Sequence, residues 1–398
     1  MNILKKISAL LLVFAMVLSF AACHEKDEIA VTVKYGDKTQ EFTSAMYLFA
    51  LMGADEEASA KAQELFEEQK VDLNSVTLDQ LYAQKIDGKD YVTWVHDRAK
   101  EMLAEYAAYK FLCEEKGVKL PEDGLKDLAD TITSEWNYYG EFYETNGVGY
   151  NTFKNTYNLV FHGETYFKSI YGKGGTKAVA DAELVKAIGD NYILANIIEV
   201  SYANLTDAKK KEAKEKLDGY VARLGKKTSF ETIYKEYYEV KEDNKNTSST
   251  TSTTASNTSS TVSNTSSTAS NTSSGAATEQ KQPKDLYATV FGSEAAGDYY
   301  NTNYYSKNYY SILKDMKVGE IKVVEDTTNK TYALVIRGDI LGDEFYTENE
   351  SYLESALNIL KKDEFDKSIT EFVKTLNVSV DGDAIEAFDV KNLYKYSK

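Results

Sequence analysis

The sequence predicts an α+β fold, on three observations. Apolar residues recur at helical spacing in long stretches towards both ends of the chain, most clearly in residues 91–115. Strand-length apolar runs are few, chiefly 193–200 and 331–337. Around the first of these, residues 179–238 read as helix, strand, helix, helix, so strands are gathered in one part of the chain.

The chain opens with Lys5 and Lys6, then an apolar run over 7–20 that is too short to span a membrane comfortably. Phe20-Ala21-Ala22-Cys23 follows. Small residues before a cysteine are what a bacterial lipoprotein signal peptidase reads. Residues 1–22 are therefore expected to be a signal peptide, Cys23 a lipidation site and 23–28 a polar tether. Two or more acyl chains make a stable membrane anchor. Residues 29–33 alternate as a strand, Tyr35-Gly36-Asp37-Lys38 is a turn, and Thr39-Gln40-Glu41-Phe42 opens a helix through Met52. An acidic, alanine-rich helix is expected over 54–69 and a shorter one over 78–84. In 91–115 the stripe is Val92, Val95, Ala99, Met102, Tyr106, Tyr109 and Cys113, and Gly117 ends it. Pro121 suits the first turn of a helix over 121–136. Residues 150–171 add another, with Phe153, Tyr157, Val160 or Phe161, and Phe167 as contacts. Gly172-Lys173-Gly174-Gly175 is a hinge.

A lead-in helix over 179–190 then precedes the strand 193–200. A charged amphipathic helix over 206–224 follows, with Gly225 placed for a left-handed cap. Ser229 is a fair N-cap for a shorter helix over 230–238. Residues 243–282 are dominated by Ser, Thr, Asn and Ala, with a seven-residue repeat marked by Asn257, Asn264 and Asn271. The repeat carries no large apolar residue, so it can bury nothing and is expected to be a disordered, solvated loop. A flexible chain of that length spans about 35 Å, so its ends can meet inside one domain. Residues 350–376 form the last long helix, with Leu353, Leu357, Leu360, Phe365, Ile369, Phe372 and Leu376 apolar. Val378 and Val380 alternate in a short strand-like piece.

Four stretches together resemble the parvulin-type prolyl isomerase domain. Ala195-Asn196-Ile197-Ile198-Glu199-Val200 is similar to that family's A-x-H-I-L-V strand. Ser229-Phe230-Glu231-Thr232-Ile233-Tyr234-Lys235-Glu236-Tyr237-Tyr238 is similar to its x-F-x-x-L-A-x-x-Y-S helix. Met316-Lys317-Val318-Gly319-Glu320-Ile321 resembles its L-K-V-G-E-I turn, and Thr331-Tyr332-Ala333-Leu334-Val335-Ile336-Arg337 its last strand, G-Y-H-I-I-K-V. The opening strand, glycine turn and helix resemble the start of the SurA and PrsA group of extracytoplasmic foldases. The resemblance implies a mostly helical chaperone domain built from both chain ends, 29–178 with 342–398. Between them it implies an inserted parvulin-like α/β domain, 179–341, carrying the Ser/Thr/Asn-rich insertion 243–282. It further implies an apolar proline pocket beside a hydrogen-bonded pair of histidines. Here the two histidine positions are taken by Asn196 and Ala333, so no catalytic residue is expected. Tyr305, Tyr309 and Met316 stand at the pocket as candidate peptide-binding residues. Paired tyrosines recur from Tyr299 to Tyr310, and exposed tyrosines bind peptides well.

Composition bounds the rest. The 398 residues carry 63 acidic and 46 basic side chains, a formal charge of -17, which argues against nucleic-acid partners. With Cys23 lipidated, Cys113 is left alone, and its place on the stripe makes it a core residue. His24, His96 and His162 are not spaced as metal ligands, and no P-loop, G-x-S-x-G or G-x-G-x-x-G occurs, so neither metal nor cofactor is expected. The expected function is a lipid-anchored, extracytoplasmic chaperone or foldase for unfolded secreted polypeptides, with weak or absent isomerase activity. Two alternatives stand beside it: an active prolyl isomerase with a rearranged pocket, and a solute-binding lipoprotein. The latter needs two lobes of alternating strands and helices.

Overall fold

The computed structural model describes residues 28–226, 228–245, 283–296 and 304–394. The expected signal peptide, Cys23 and all but the first residues of the Ser/Thr-rich insertion lie outside them. The described residues form a helix-rich α+β structure in two units: one runs to Ala178 and resumes at Asp363, the other is Val179–Lys362.

In the first unit β1 (Ile29–Tyr35) and β2 (Lys38–Thr43) form an antiparallel hairpin turning at Gly36, φ +60°. Residues 39–42, expected to open a helix, are strand instead. Phe42 is buried between exposed or half-buried neighbours, so the two-residue period prevails. The helix α1 (Ser44–Glu68) starts only after Thr43, whose Oγ1 accepts from the Met46 N–H at 3.3 Å. It runs unbroken through Gly53, merging the two helices expected there. A Cβ on Gly53 would lie 3.2 Å from Met102 Cε, so this glycine admits a neighbour rather than ending a helix.

After α2 (Leu78–Tyr82), β3 (Lys85–Ile86) and β4 (Lys89–Asp90) make a small hairpin that helical spacing does not reveal. Its turn residues Asp87 and Gly88 both have positive φ, as a type I′ turn requires. α3 (Tyr91–Lys116) ends at Gly117 in the left-handed conformation, φ +65°. α4 (Glu122–Thr145) begins after Pro121, which occupies the N-cap position, and continues past the expected stop at Trp136. Gly140 lies under the Trp136 indole, where a Cβ would come within 2.8 Å, so it serves ring packing and not termination. α5 (Tyr150–Tyr171) follows. Because α3 packs against both α1 and α5, it is buried beyond the expected stripe. Trp94, Leu103, Ala107 and Phe111 join Val95, Ala99 and Cys113, while Met102, Tyr106 and Tyr109 are half-buried.

The second unit opens with α6 (Asp181–Asn191) and β5 (Tyr192–Ser201). α7 (Asp207–Leu224) ends at Gly225, but not in a left-handed cap. Gly225 has φ -63°, and its N–H continues the helical turn to Val221 O at 3.1 Å. Ser229 Oγ accepts from Thr232 N–H at 3.2 Å at the start of α8 (Phe230–Lys245). Then come β6 (Ala288–Gly292), α9 (Tyr304–Leu313), β7 (Ile321–Asp326) and β8 (Thr331–Arg337). The four strands form one antiparallel sheet in the order β6-β5-β8-β7. β5 and β8, the two apolar runs of the sequence, are direct partners, with Ile197 opposite Val335 and Glu199 opposite Ala333. One face packs Ala195, Ala333 and Val335 against Tyr309 and Leu313 of α9. The other packs Ile198 and Leu334 against Leu217 of α7 and Ile233 of α8. Burial on both faces accounts for the apolar residues that each run carries on both sides.

The boundary between the units falls inside α11 (Glu350–Val373), which follows α10 (Glu344–Glu348). Residues 342–362, expected in the helical domain, group with the sheet instead. Tyr352 and Ala356 are buried with Ile188, Tyr192 and Leu194, and the Tyr192 and Ser355 hydroxyls are hydrogen-bonded. From Asp363 the chain belongs to the first unit again, where Phe365 meets the rings of Tyr109 and Phe167. There β9 (Asn377–Val380) pairs antiparallel with β1, giving the order β2-β1-β9. Ala384 of α12 (Gly382–Ile385), Val390 and Leu393 then enter the core formed by α1 and α3.

Candidate functional site

Asn196 and Ala333 do not come together. Asn196 sits opposite Ile336 and Ala333 opposite Glu199, and strand alternation sends the two side chains to opposite faces of the sheet. The Asn196 amide is buried and donates to Asp285 Oδ2 at 2.9 Å. The β5 side chains on the face of Ala333 are Ala195, Ile197 and Glu199, with Glu199 directly opposite it. Asn196 is therefore not on the face of Ala333, whereas Ile197, the third residue of Ala195-Asn196-Ile197, is. Neither Ile197 nor Ala333 has a side-chain nitrogen. The polar contact on this face is the Tyr309 hydroxyl, which donates to Glu199 Oε1 at 2.5 Å. Tyr309 is fully buried and Met316 nearly so, and both belong to the sheet's apolar core rather than to an open surface. Tyr305 lies on α9, and its side chain is outside the described residues.

The first unit carries an open groove of about 620 Å³. Its wall on α1 is Phe49, Met52, Gly53, Asp55 and Glu56; α3 contributes Met102 and Tyr106, α4 contributes Phe142 and Tyr143, and Tyr394 closes it from the far end of the chain. The volume falls within the roughly 300–1,000 Å³ common for binding clefts. The rings hold one another. Phe49 meets Tyr143 edge-on at 5.3 Å, Phe142 meets Tyr143 at 5.4 Å, and Phe142 stacks on Tyr394 at 6.0 Å. The Tyr394 hydroxyl donates to Met52 O at 3.4 Å. Beyond Phe142, Tyr138 and Tyr139 are exposed on α4, extending the aromatic surface. Asp55 is buried at the wall, and Tyr91 donates to its Oδ1 at 2.9 Å. Burial pushes its carboxyl above the usual range, while hydrogen bonds from Tyr91 and Tyr394 pull the other way. Burial pushes the Tyr106 phenol up to about 12, with Glu105 adding to the effect, so this hydroxyl stays protonated.

Sequence reading misses this groove because ending α4 at Trp136 leaves Phe142 and Tyr143 out of any element. The available signal was the aromatic run Tyr138, Tyr139, Phe142 and Tyr143 at helical spacing.

The remaining reactive side chains are structural. The Cys113 thiol donates to His162 O at 3.4 Å, and burial, with Glu114, pushes it up to about 11, which makes it a poor nucleophile. His96 Nδ1 bonds the Tyr47 hydroxyl at 2.7 Å, and burial lowers its pKa. Among the described residues, no three His, Cys, Asp or Glu side chains cluster to hold a metal ion, and no helix is long and apolar enough to cross a membrane.

No family model matches the chain, and no curated protein sequence does. Among solved structures, that of PrsA from Bacillus subtilis is similar at 18% sequence identity over 79% of this chain and 97% of that one, with a TM-score of 0.26.

Proposed function

We propose that this chain is a membrane-tethered, extracytoplasmic chaperone that holds unfolded polypeptides in the groove of its first unit. The observation that carries the reading is the groove itself: open, ring-lined and backed by buried apolar side chains. Such a surface gains from apolar contact with any unfolded segment and needs no covalent chemistry. Phe20-Ala21-Ala22-Cys23 supports a lipid anchor at Cys23. The antiparallel β5–β8 pairing supports a parvulin-like layout for the second unit, and Ile197 with Ala333 supports loss of its chemistry. The described residues do not form two lobes of alternating strands and helices, so a solute-binding lipoprotein gains no support.

The test is suppression of aggregation of a reduced, unfolded model protein by the full chain. In Phe142→Ala/Tyr143→Ala, the concentration needed should rise about tenfold, as for loss of two aromatic contacts. A folded double variant that protects as well as the parent sinks the reading.

One observation favours a second reading, an isomerase with a rearranged pocket: the Glu199–Tyr309 hydrogen bond lies on the face of Ala333. A proline-limited refolding assay separates the two. We expect no acceleration; a clear acceleration lost in Tyr309→Phe would establish the isomerase.

A further inference from the structure

We infer that the groove selects client segments in which an arginine or lysine lies beside aromatic side chains; this rests on the reading of the groove as the client site. Its lining carries two carboxylates on consecutive positions of α1, Asp55 and Glu56, and no basic side chain among the described residues that form it. Glu56 is exposed and enters no ion pair among the described residues. Asp55 lies deeper, and its described hydrogen-bond partners are tyrosine hydroxyls rather than cations. Burying a carboxylate without a counter-charge is costly, so a cation brought by a ligand offsets a cost that the empty groove already carries.

The rings supply the rest of the recognition. A guanidinium or ammonium is attracted to the faces of Tyr and Phe, and its alkyl stem covers apolar surface. Arginine fits best, because its planar head can stack on a ring while donating to a carboxylate. Phe142, Tyr143 and Tyr394 are already held by mutual contacts, so little order has to be imposed on them when a ligand binds. The chain's formal charge of -17 further favours the approach of cationic segments.

The experiment is fluorescence anisotropy on the full chain with three labelled peptides of equal length. One alternates arginine and tyrosine, one replaces arginine by glutamate, and one replaces tyrosine by serine. The arginine–tyrosine peptide should bind at least about tenfold more tightly than either of the others. Glu56→Lys, an exposed substitution whose folding is checked by thermal melting, should bring the arginine and glutamate peptides close to equal affinity. If those two peptides bind the parent equally while Phe142→Ala weakens both, the charge selection is wrong and the groove remains the client site. If the serine peptide binds as tightly as the tyrosine one, the effect is bulk charge attraction and the inference is overturned. If Phe142→Ala changes no affinity, the groove is not the client site and the inference falls with it.

Discussion

Asp55 sits where its charge is least welcome, and this has a consequence for stability. Burial raises its carboxyl above the ordinary 3.8, only partly countered by hydrogen bonds from Tyr91 and Tyr394. A carboxyl with a raised folded-state pKa holds more protons folded than unfolded over the interval between the two values. Stability therefore falls as pH rises through that interval and stays lower above it. Asp55→Asn keeps an acceptor for the Tyr91 hydroxyl and removes the loss. Denaturant melts should show the variant gaining on the parent between acid and neutral pH; a gap that does not change with pH refutes the argument. At this scale the sequence was legible in part. Asn196 was expected beside Ala333, but strand alternation puts Ile197 on the face of Ala333. Asp55 gave no signal, since its neighbours Tyr91 and Tyr394 are remote in sequence and only the fold brings them to it.

Among the elements, the helices α3 and α5 and the strands β5 and β8 follow from apolar patterning, and β8 has the bounds its run of residues suggested. Glycine was the main source of error. Gly117 ends a helix with positive φ, whereas Gly53 and Gly140 lie inside helices where a side chain occupies the space a Cβ would take: Met102 from α3 over Gly53, and Trp136 of the same helix over Gly140. A sequence shows the glycine but not the ring or thioether above it. α11 shows a further ambiguity, because its apolar stripe does not say what covers it. From Asp363 onward the cover is aromatic: Phe365 is stacked on Tyr109 at 6.2 Å and meets Phe167 edge-on at 5.2 Å. Phe365 is 3% exposed, so Phe365→Ala empties a filled site. It should cost about 3–5 kcal/mol in denaturant unfolding of the full chain, the usual range for a buried phenylalanine. A cost under about 1 kcal/mol would mean that α11 beyond Asp363 contributes little to the first unit.

At the scale of the whole molecule, two returns of the chain decide the architecture. β9 pairs with β1 in one unit, and β8 pairs with β5 in the other, each across a long stretch of sequence. The second return was legible because both strands are mostly apolar; in the first, the strand-like alternation of Val378 and Val380 was legible but its pairing with β1 was not, because all of β9 is exposed. Within Val179–Lys362, α8 ends at Lys245 and β6 begins at Ala288, and residues 246–282, outside the described residues, lie between them in sequence. Their composition offers nothing to bury. If they bury nothing, their length acts only through closure entropy, which changes by about 0.6 kcal/mol for each doubling. Deleting about half of residues 246–282 should therefore stabilise the unit by about 0.6 kcal/mol, with the denaturant slope unchanged. Peptide affinity at the groove, which belongs to the other unit, should stay the same. A loss of several kcal/mol would show instead that the Ser/Thr stretch packs on the sheet, and a fall in peptide affinity would make it part of client binding.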